Sequence, residues 1–466
     1  MEPRAASAPI RSLEEAAAWL EGLIDLEKQP EIPYRRLGLD AIRRLLARLG
    51  DPQRGLPVIH VAGSKGKGST ALFAESILRA AGARVGTFTS PHLESWTERF
   101  RVDGREVGGA RLAAAVERLR PHVDALRAED PASAPTFFDA TTAAALLLFR
   151  EARVDFAVLE VGLGGRLDST NAVEPGVACI ATIELEHTEQ LGATLAAIAA
   201  EKAGILKPGA AVVAGDLPAE ARAVVAERAR ACGAEVAWLG QAFRAELLGE
   251  DARGLRVRLI DGPVELEARL PLLGPHQAGN AALALACVRR AGALPDRELA
   301  RAAAAGLAAA RLPGRVELLR ERPWVVVDGA HTVASARALA RALEALPRRR
   351  THLVLSVSAG KDLPGVLAAL LPAADQVTLT RAEPRRSLAP EEIAAALRGL
   401  APDLPQRVEP DPQLALRAAR AALAPDHCLC ATGSVYLAGI ARGVLRDRDP
   451  AAAGTRPGAA ERALEP

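Results

Sequence analysis

From about residue 57 the chain alternates short apolar runs with longer alanine-rich stretches whose apolar positions recur at helical spacing. The runs "PVIHVAG", "RVGTFTS", "VDFAVLEVG", "VACIATI" and "AAVVAG" predict strands. Residues 67–81, 109–128, 139–151, 194–204 and 218–232 predict helices. Strands and amphipathic helices in alternation are the pattern of a parallel α/β sheet. Between residues 243 and 272, "FRAELLGEDARGLRVRLIDGPVELEARL" switches to alternating apolar and polar positions, which predicts antiparallel hairpins.

A second α/β series follows "RLPGR", near residue 312, with strands in "RPWVVVDG", "HLVLSVS", "QVTLT" and "HCLCATG". The pattern predicts an α/β protein: a larger, mostly parallel domain over residues 1–310 and a smaller α/β domain over 311–446. Residues 447–466 read as a disordered tail. There is no internal repeat and no coiled coil.

Composition narrows the class. The 466 residues are 49% hydrophobic and 25% charged, ordinary for a soluble enzyme and enough for two or three domains. With 59 basic against 57 acidic residues, no whole-chain field draws polyanions, which argues against a general nucleic-acid binder. The N-terminus lacks the apolar core of a signal peptide. The longest apolar stretch, "ATTAAALLLF", is far short of the ~20 residues a membrane span needs. A cytoplasmic protein is expected. Cys179, Cys232, Cys287, Cys428 and Cys430 are too scattered for a disulfide framework or zinc site, and read as buried reduced thiols. Only six basic residues are lysines: Lys28, Lys65, Lys67, Lys202, Lys207 and Lys361. Against so much arginine, a lysine marks a place for a compact ammonium or a reactive amine.

Two of the six lie in "HVAGSKGKGST", residues 60–70, where a strand runs through a glycine-rich turn into a helix starting near Lys67. Exposed N–H groups and a helix N-terminus there bind anions, so the stretch reads as a phosphate loop; a flexible linker is the alternative. In "EVGLGGRLDSTNAV", Glu160 emerges at the carboxyl end of an apolar strand, where open α/β sheets bind ligands. It reads as a Mg²⁺ ligand or as an ordinary surface glutamate. "ELEHTEQLG" places Glu184, Glu186, His187 and Glu189 at the same edge, with His187 either a ligand or structural. "AAIAAEKAGILKPG" supplies Lys202, whose plain alternative is a helical ion pair. Asp328 and Ser434 follow later strands in the same way.

Taken together these stretches resemble the folylpolyglutamate synthase/dihydrofolate synthase family of Mur ligases, ATP-dependent amide-forming enzymes. The resemblance rests on the joint order of "AGSKGKGST", "TSPHL", "TERFRV", "TFFDATTA", "EVGLGGRLDSTN", "LEHTEQLG", "AAEKAGILKPG", "LPGR", "DGAH", "KD" at 361–362 and "TGSVYLAG". It implies a phosphate-loop domain of the Mur-ligase central type followed by a smaller Rossmann-like glutamate-ligase domain. It implies ATP contacts at Ser64, Lys65, Gly66, Lys67, Gly68, Ser69, Asn280, Arg315 and Asp328. Ser90, Glu160, His187 and Lys202, the last as a carbamate, match the Mg²⁺ ligands. Arg36, Leu37, Gly38 and Leu39, with Thr136, Phe137, Phe138, Asp139, Leu167, Asp168 and Ser169, match the pterin side. The catalytic set implied is Lys67, Lys202, His187 and Glu160. Several positions depart from the family pattern: Lys65 for Asn, Glu186 for Asp, Asp139 for Glu, Thr332 in "DGAHTV", and Arg36 at a position acidic in some members.

A carboxylate is a poor electrophile, so the implied reaction first makes an acyl phosphate from ATP, which the amine of glutamate then attacks. The expectation is a monomeric cytoplasmic ligase using ATP, L-glutamate and dihydropteroate or a folate, with no nucleic-acid or membrane partner. Alternatives are another Mur-type amino-acid ligase, or a nucleotide-binding protein that has lost catalysis.

Overall fold

The structure is a computed structural model that describes residues 9–24 and 38–446. Arg36, Leu37 and the tail over 447–466 lie outside the described residues. The chain divides into two compact units that meet between Leu312 and Pro313.

The first unit is built on eleven strands among the described residues: β1 (Val58–Ala62), β2 (Val85–Phe88), β3 (Phe100–Val102), β4 (Arg105–Glu106), β5 (Phe156–Glu160), β6 (Val177–Ile180), β7 (Ala211–Ala214), β8 (Val236–Trp238), β9 (Phe243–Asp251), β10 (Gly254–Asp261) and β11 (Val264–Leu270). Eight form one sheet in the order β4-β3-β2-β5-β1-β6-β7-β8. From β2 to β8 all pairs are parallel, and β3 and β4 add an antiparallel edge. β1 and β6 are buried along their whole length, as strands are when helices cover both sheet faces. β9 to β11 form a separate antiparallel sheet, where the alternating pattern predicted hairpins.

The helix Lys67–Ala80 is the centre of this unit. Nine of its residues are buried, because it is wedged between the large sheet and the helices His276–Arg290 and Asp296–Ala309. At the tightest crossing, a Cβ on Gly306 would lie 2.5 Å from the Ser76 carbonyl oxygen and 2.8 Å from Ile77 Cα. Only glycine lets the two helices approach so closely.

The second unit has one six-stranded sheet from β12 (Glu317–Glu321), β13 (Trp324–Val327), β14 (Thr351–Leu355), β15 (Gln376–Leu379), β16 (Gln406–Val408) and β17 (Cys428–Thr432). Its order is β12-β13-β17-β14-β15-β16, parallel except for the β12–β13 pair. All five cysteines are buried and free. Among the described residues no helix is long and apolar enough to cross a membrane.

Gly306→Ala tests the helix crossing. Alanine is the better helix former by about 1 kcal/mol, but overpacking against backbone costs about 1–3 kcal/mol. The expected net effect is a lower urea-unfolding midpoint; a raised midpoint contradicts the close packing described above.

Candidate active site

The turn after β1 is stitched to the segment after β6. Ser64 N–H donates to the Thr182 carbonyl at 2.8 Å, and Lys65 N–H to Thr182 Oγ1 at 2.7 Å. Ser64 Oγ accepts from Glu184 N–H at 2.9 Å and donates to the Glu184 carbonyl at 3.2 Å. Gly66 caps the helix Lys67–Ala80 with φ +79°, and a Cβ there would lie 2.5 Å from Asn280 Oδ1. Asn280 is itself held by Gln277, donating Nδ2 to its Oε1 at 3.0 Å. The first turn of the helix, with Lys67, Gly68 and Ser69, contains no acidic residue, as suits an anion at its N-terminus.

Three of the six lysines converge here. Lys67 Nζ donates to the Gly63 carbonyl at 2.7 Å and the Ser64 carbonyl at 3.4 Å. Lys202, on the helix Leu195–Ala203, is 2% exposed and donates to the same Gly63 carbonyl and to Glu186 Oε1, each at 3.1 Å. Lys65 Nζ lies 3.6 Å from Glu186 Oε2. Burial, and then the Lys67 charge, push the Lys202 amine down to about 8, although Glu186 opposes this. Burial raises the Glu186 carboxyl, but Lys67, Lys202 and Lys65 outweigh it and leave it below the ordinary range. Glu184 is raised by burial.

Glu160 ends β5 and is buried. Its Oε2 accepts the Ser90 N–H at 3.1 Å, and a Cβ on Gly68 would come within 3.2 Å of both carboxylate oxygens. Ser90, Glu160 and the N-terminus of the helix Lys67–Ala80 are therefore adjacent. His187 is exposed at the N-cap of the short helix Thr188–Leu191, with φ +47°. Among the described residues, no three His, Cys, Asp or Glu side chains are grouped to hold a metal ion. The Glu160 carboxylate, with Ser90 beside it, offers oxygen donors of the type a hard divalent cation takes.

A second group gathers around the loop after β5. Thr136 caps the helix Phe137–Ala152, donating its N–H and Oγ1 to Asp139 Oδ2 at 2.8 and 2.7 Å. Ser169 Oγ donates to Asp139 Oδ1 at 2.7 Å. Asp139 is raised by burial. A Cβ on Gly162 would meet the Phe138 ring at 2.5 Å, so glycine makes room for it. Phe137 stacks edge-on with Trp96 at 5.4 Å, and the Arg99 guanidinium lies over both rings at 5.3–5.5 Å. Leu167 and Asp168 lie in the same loop; Gly38 and Leu39 lead into the helix Asp40–Arg48. Asp168 turns inward. Its Oδ2 accepts the Gly162 and Leu163 N–H groups at 3.1 and 2.9 Å, and its Oδ1 accepts Thr170 N–H at 3.0 Å and the Thr170 hydroxyl. Burial pushes its carboxyl up to about 6. Behind it, His60 Nε2 lies 2.8 Å from Thr170 Oγ1, and burial, aided by Lys207, pushes the imidazole down to about 3.

In the second unit, the buried Asp328 carboxylate accepts Val316 N–H and Ala330 N–H, both at 2.7 Å. Val316 has φ +44°, a strained value for a β-branched residue. Glu317 accepts Gly314 N–H at 2.8 Å and is paired with Arg442 and Arg446. Arg315 thus sits between two residues whose main chain is held. His60, Trp96, Arg99 and Thr170 were not singled out in the sequence, although His60, Arg99 and Thr170 lie within quoted motifs and Trp96 falls between two of them.

Residues 61–288 match the Mur ligase middle domain, and residues 314–435 the glutamate ligase domain of Mur ligases. A dihydrofolate synthase/folylpolyglutamate synthase of Mycobacterium tuberculosis is 39% identical over 444 residues, covering 88% of this chain and 90% of that one. The chain belongs to the folylpolyglutamate synthase/dihydrofolate synthase family of Mur ligases. A probable bifunctional folylpolyglutamate synthase/dihydropteroate synthase of Haloferax volcanii is 38% identical over 87% of this chain, which spans only 48% of that longer relative. Among solved structures, M. tuberculosis folylpolyglutamate synthase complexed with ADP and AMPPCP superposes with TM-score 0.81 at 36% identity, covering 91% of this chain and 99% of that one. E. coli FolC in complex with DHPP and ADP gives 0.79 at 32% identity, covering 95% and 99%. A bifunctional folylpolyglutamate synthase/dihydrofolate synthase with Mn, AMPPNP and L-glutamate bound gives 0.77 at 30% identity, covering 96% and 100%. The fold of this family member is the Mur ligase fold, in two α/β units.

The buried histidine has a pH signature. Its folded pKa of about 3 lies below the ordinary 6.5, so the unfolded chain takes up a proton that the folded one refuses. Its contribution to stability is present above pH 6.5 and is lost as pH falls toward 3, by at most about 1.4 kcal/mol per pH unit. Asp168, raised from 3.8 to about 6, acts in the opposite sense: it favours the fold at low pH, and that contribution is lost as pH rises through 6. His60→Gln removes only the first effect. Urea midpoints should show wild type losing ground to the variant as pH falls below 6.5; parallel curves contradict a buried neutral imidazole.

Proposed function

We propose that this protein is an ATP-dependent ligase that adds L-glutamate to dihydropteroate, to the γ-carboxylate of a folate, or to both, through an acyl phosphate. The observation that carries the reading is the convergence of Lys65, Lys67 and Lys202 at the turn before a helix N-terminus, beside the buried Glu160. The positive charge of Lys65 and Lys67 at such a point suits a polyphosphate. Relatives holding ADP, AMPPCP, DHPP or L-glutamate support the same substrates here.

On this reading the main-chain N–H groups from Ser64 to Ser69 and the Lys67 ammonium hold the ATP phosphates. Lys67 neutralises the charge that grows on the transferred phosphoryl oxygens. Asn280, Arg315 and Asp328 contact the rest of the nucleotide. Gly38, Leu39, Thr136 to Asp139 and Leu167 to Ser169 bind the pterin side, and Trp96 and Arg99 brace Phe137. On this reading the first unit serves the ATP phosphates and the pterin, and the second serves the glutamate ligation and supplies Arg315 and Asp328 to the nucleotide. Ser90, Glu160, His187 and Lys202 as a carbamate would hold Mg²⁺, which when bound offsets phosphate charge. A Lys202 amine near 8 has a neutral fraction at physiological pH, the form that adds CO₂. Five free, buried cysteines suit a cytoplasmic enzyme.

ATP consumption measured with dihydropteroate plus glutamate, and then with tetrahydrofolate plus glutamate, tests the proposal. Turnover with neither sinks it. Lys67→Ala should lower kcat at least about 100-fold, and Lys67→Arg should not rescue it, since a planar guanidinium does not replace a point charge in a backbone cradle. Lys65→Asn should stay active. Lys202→Arg should fold with an unchanged melting temperature yet lose metal-dependent ligation and the ¹³CO₂-carbamate NMR signal; full activity at limiting Mg²⁺ would exclude the carbamate.

A further inference from the structure

We propose that His60 is a positioning residue for the pterin half of the site, acting through Thr170 and Asp168. The inference rests on the ligase reading above, but concerns a residue that touches no substrate there. His60 sits in the middle of β1, paired in register with Leu159 of β5 and Ala178 of β6, and is fully buried. Every other residue of β1 is apolar. An imidazole in that setting needs a partner to offset its desolvation.

The partner is Thr170, 2.8 Å from Nε2. A threonine hydroxyl has one proton, and here it goes to Asp168 Oδ1. The His60 Nε2 is therefore the donor. Nδ1 then carries no proton, and it is buried without a hydrogen-bond partner among the described residues. For stability alone an apolar side chain would serve β1 better than a half-satisfied histidine. The proton on Nε2 is what an apolar residue cannot supply.

That proton fixes the direction of a chain of hydrogen bonds. Held by His60, the Thr170 hydroxyl points at Asp168 Oδ1. Asp168 then presents Oδ2 to the N–H groups of Gly162 and Leu163. The loop so fastened carries the groups of the pterin side. Gly162 abuts the Phe138 ring, and Ser169 donates to Asp139. The same loop reaches the end of the helix that carries Lys202: Arg166 N–H donates to the Glu201 carbonyl at 2.8 Å, and Asn171 Nδ2 to the Gly204 carbonyl at 3.2 Å. Among the described residues the hydrogen bonds that run from His60 through Thr170 and Asp168 end at Gly162 and Leu163, not at Lys67 or Asn280, so loosening them should disturb the pterin side and leave nucleotide binding alone.

The test is the split between two KM values in the full-length enzyme. With the pterin substrate that wild type turns over, His60→Leu should raise the pterin KM about tenfold, while the ATP KM stays within about twofold. His60→Gln, whose side-chain N–H donates from a similar place, should restore the pterin KM to within about threefold of wild type. Thr170→Val should give the same rise as His60→Leu, and the double variant should be no worse than either single, because both cut one chain. An unchanged pterin KM, a parallel rise in both KM values, or additive losses in the double variant would each overturn the proposal. If His60→Leu does not fold, Thr170→Val and Thr170→Ser decide alone, with valine expected to raise the pterin KM and serine to spare it. Wild type without turnover on any pterin strikes the ligase reading itself, whereas normal wild type with unaffected variants strikes only the role of His60.

Discussion

Two ammonium groups share one carbonyl oxygen in this protein, and much else follows from keeping them there. Lys67 and Lys202 both donate to Gly63, with Lys65 across Glu186 from Lys202. Like charges held this close raise one another's energy, which is part of why the Lys202 amine is depressed. The scaffold holds them against that repulsion. Gly63 is pinned between β1 and the segment after β6, Lys67 by the helix wedged into the core, and Lys202 by burial at the end of its own helix. Glu186, between Lys202 and Lys65, offsets part of that repulsion, and loss of charge at Lys202 would relieve more of it.

The loop from Gly162 to Asn171 does a different job. It begins beside Glu160, passes Phe138 and Asp139, and ends against the turn following Lys202. Few of its own residues are apolar, so it cannot be held by packing. Its order comes from a buried carboxylate that accepts four hydrogen bonds, with a histidine behind it. Polar interactions in a dry interior are strong when fully satisfied and costly when broken, which suits a segment that must hold one shape.

The legible parts of the fold were those whose information is local. The central strands are short and apolar, and the helix Lys67–Ala80 starts at a glycine-lysine turn, so both announce themselves in sequence. The edge strands β3 and β4 did not, because "FRV" and "RE" have no pattern of their own and become strands only by pairing with β2. β8 and β12 escaped for similar reasons: three residues in one case, a mixed charged run in the other. In the site, the glycine-rich turn pointed to Lys67 and the carboxyl end of a strand to Glu160, while Lys202 was marked by the scarcity of lysine and the family resemblance; the fold brings the three together. His60 was hidden because it reads as one more position of an apolar strand, and its partner lies 110 residues away.

Val316 adds a mechanical point about the start of the second unit. A β-branched residue at φ +44° stays in that conformation only while its surroundings insist on it, and here Asp328 holds its N–H while Glu317 holds that of Gly314. Both carboxylates belong to the same unit as the segment they grip. Gly314 to Val316 therefore behave as a rigid bracket and not as a slack tether. Arg315, between them, travels with the second unit as though bolted to its sheet.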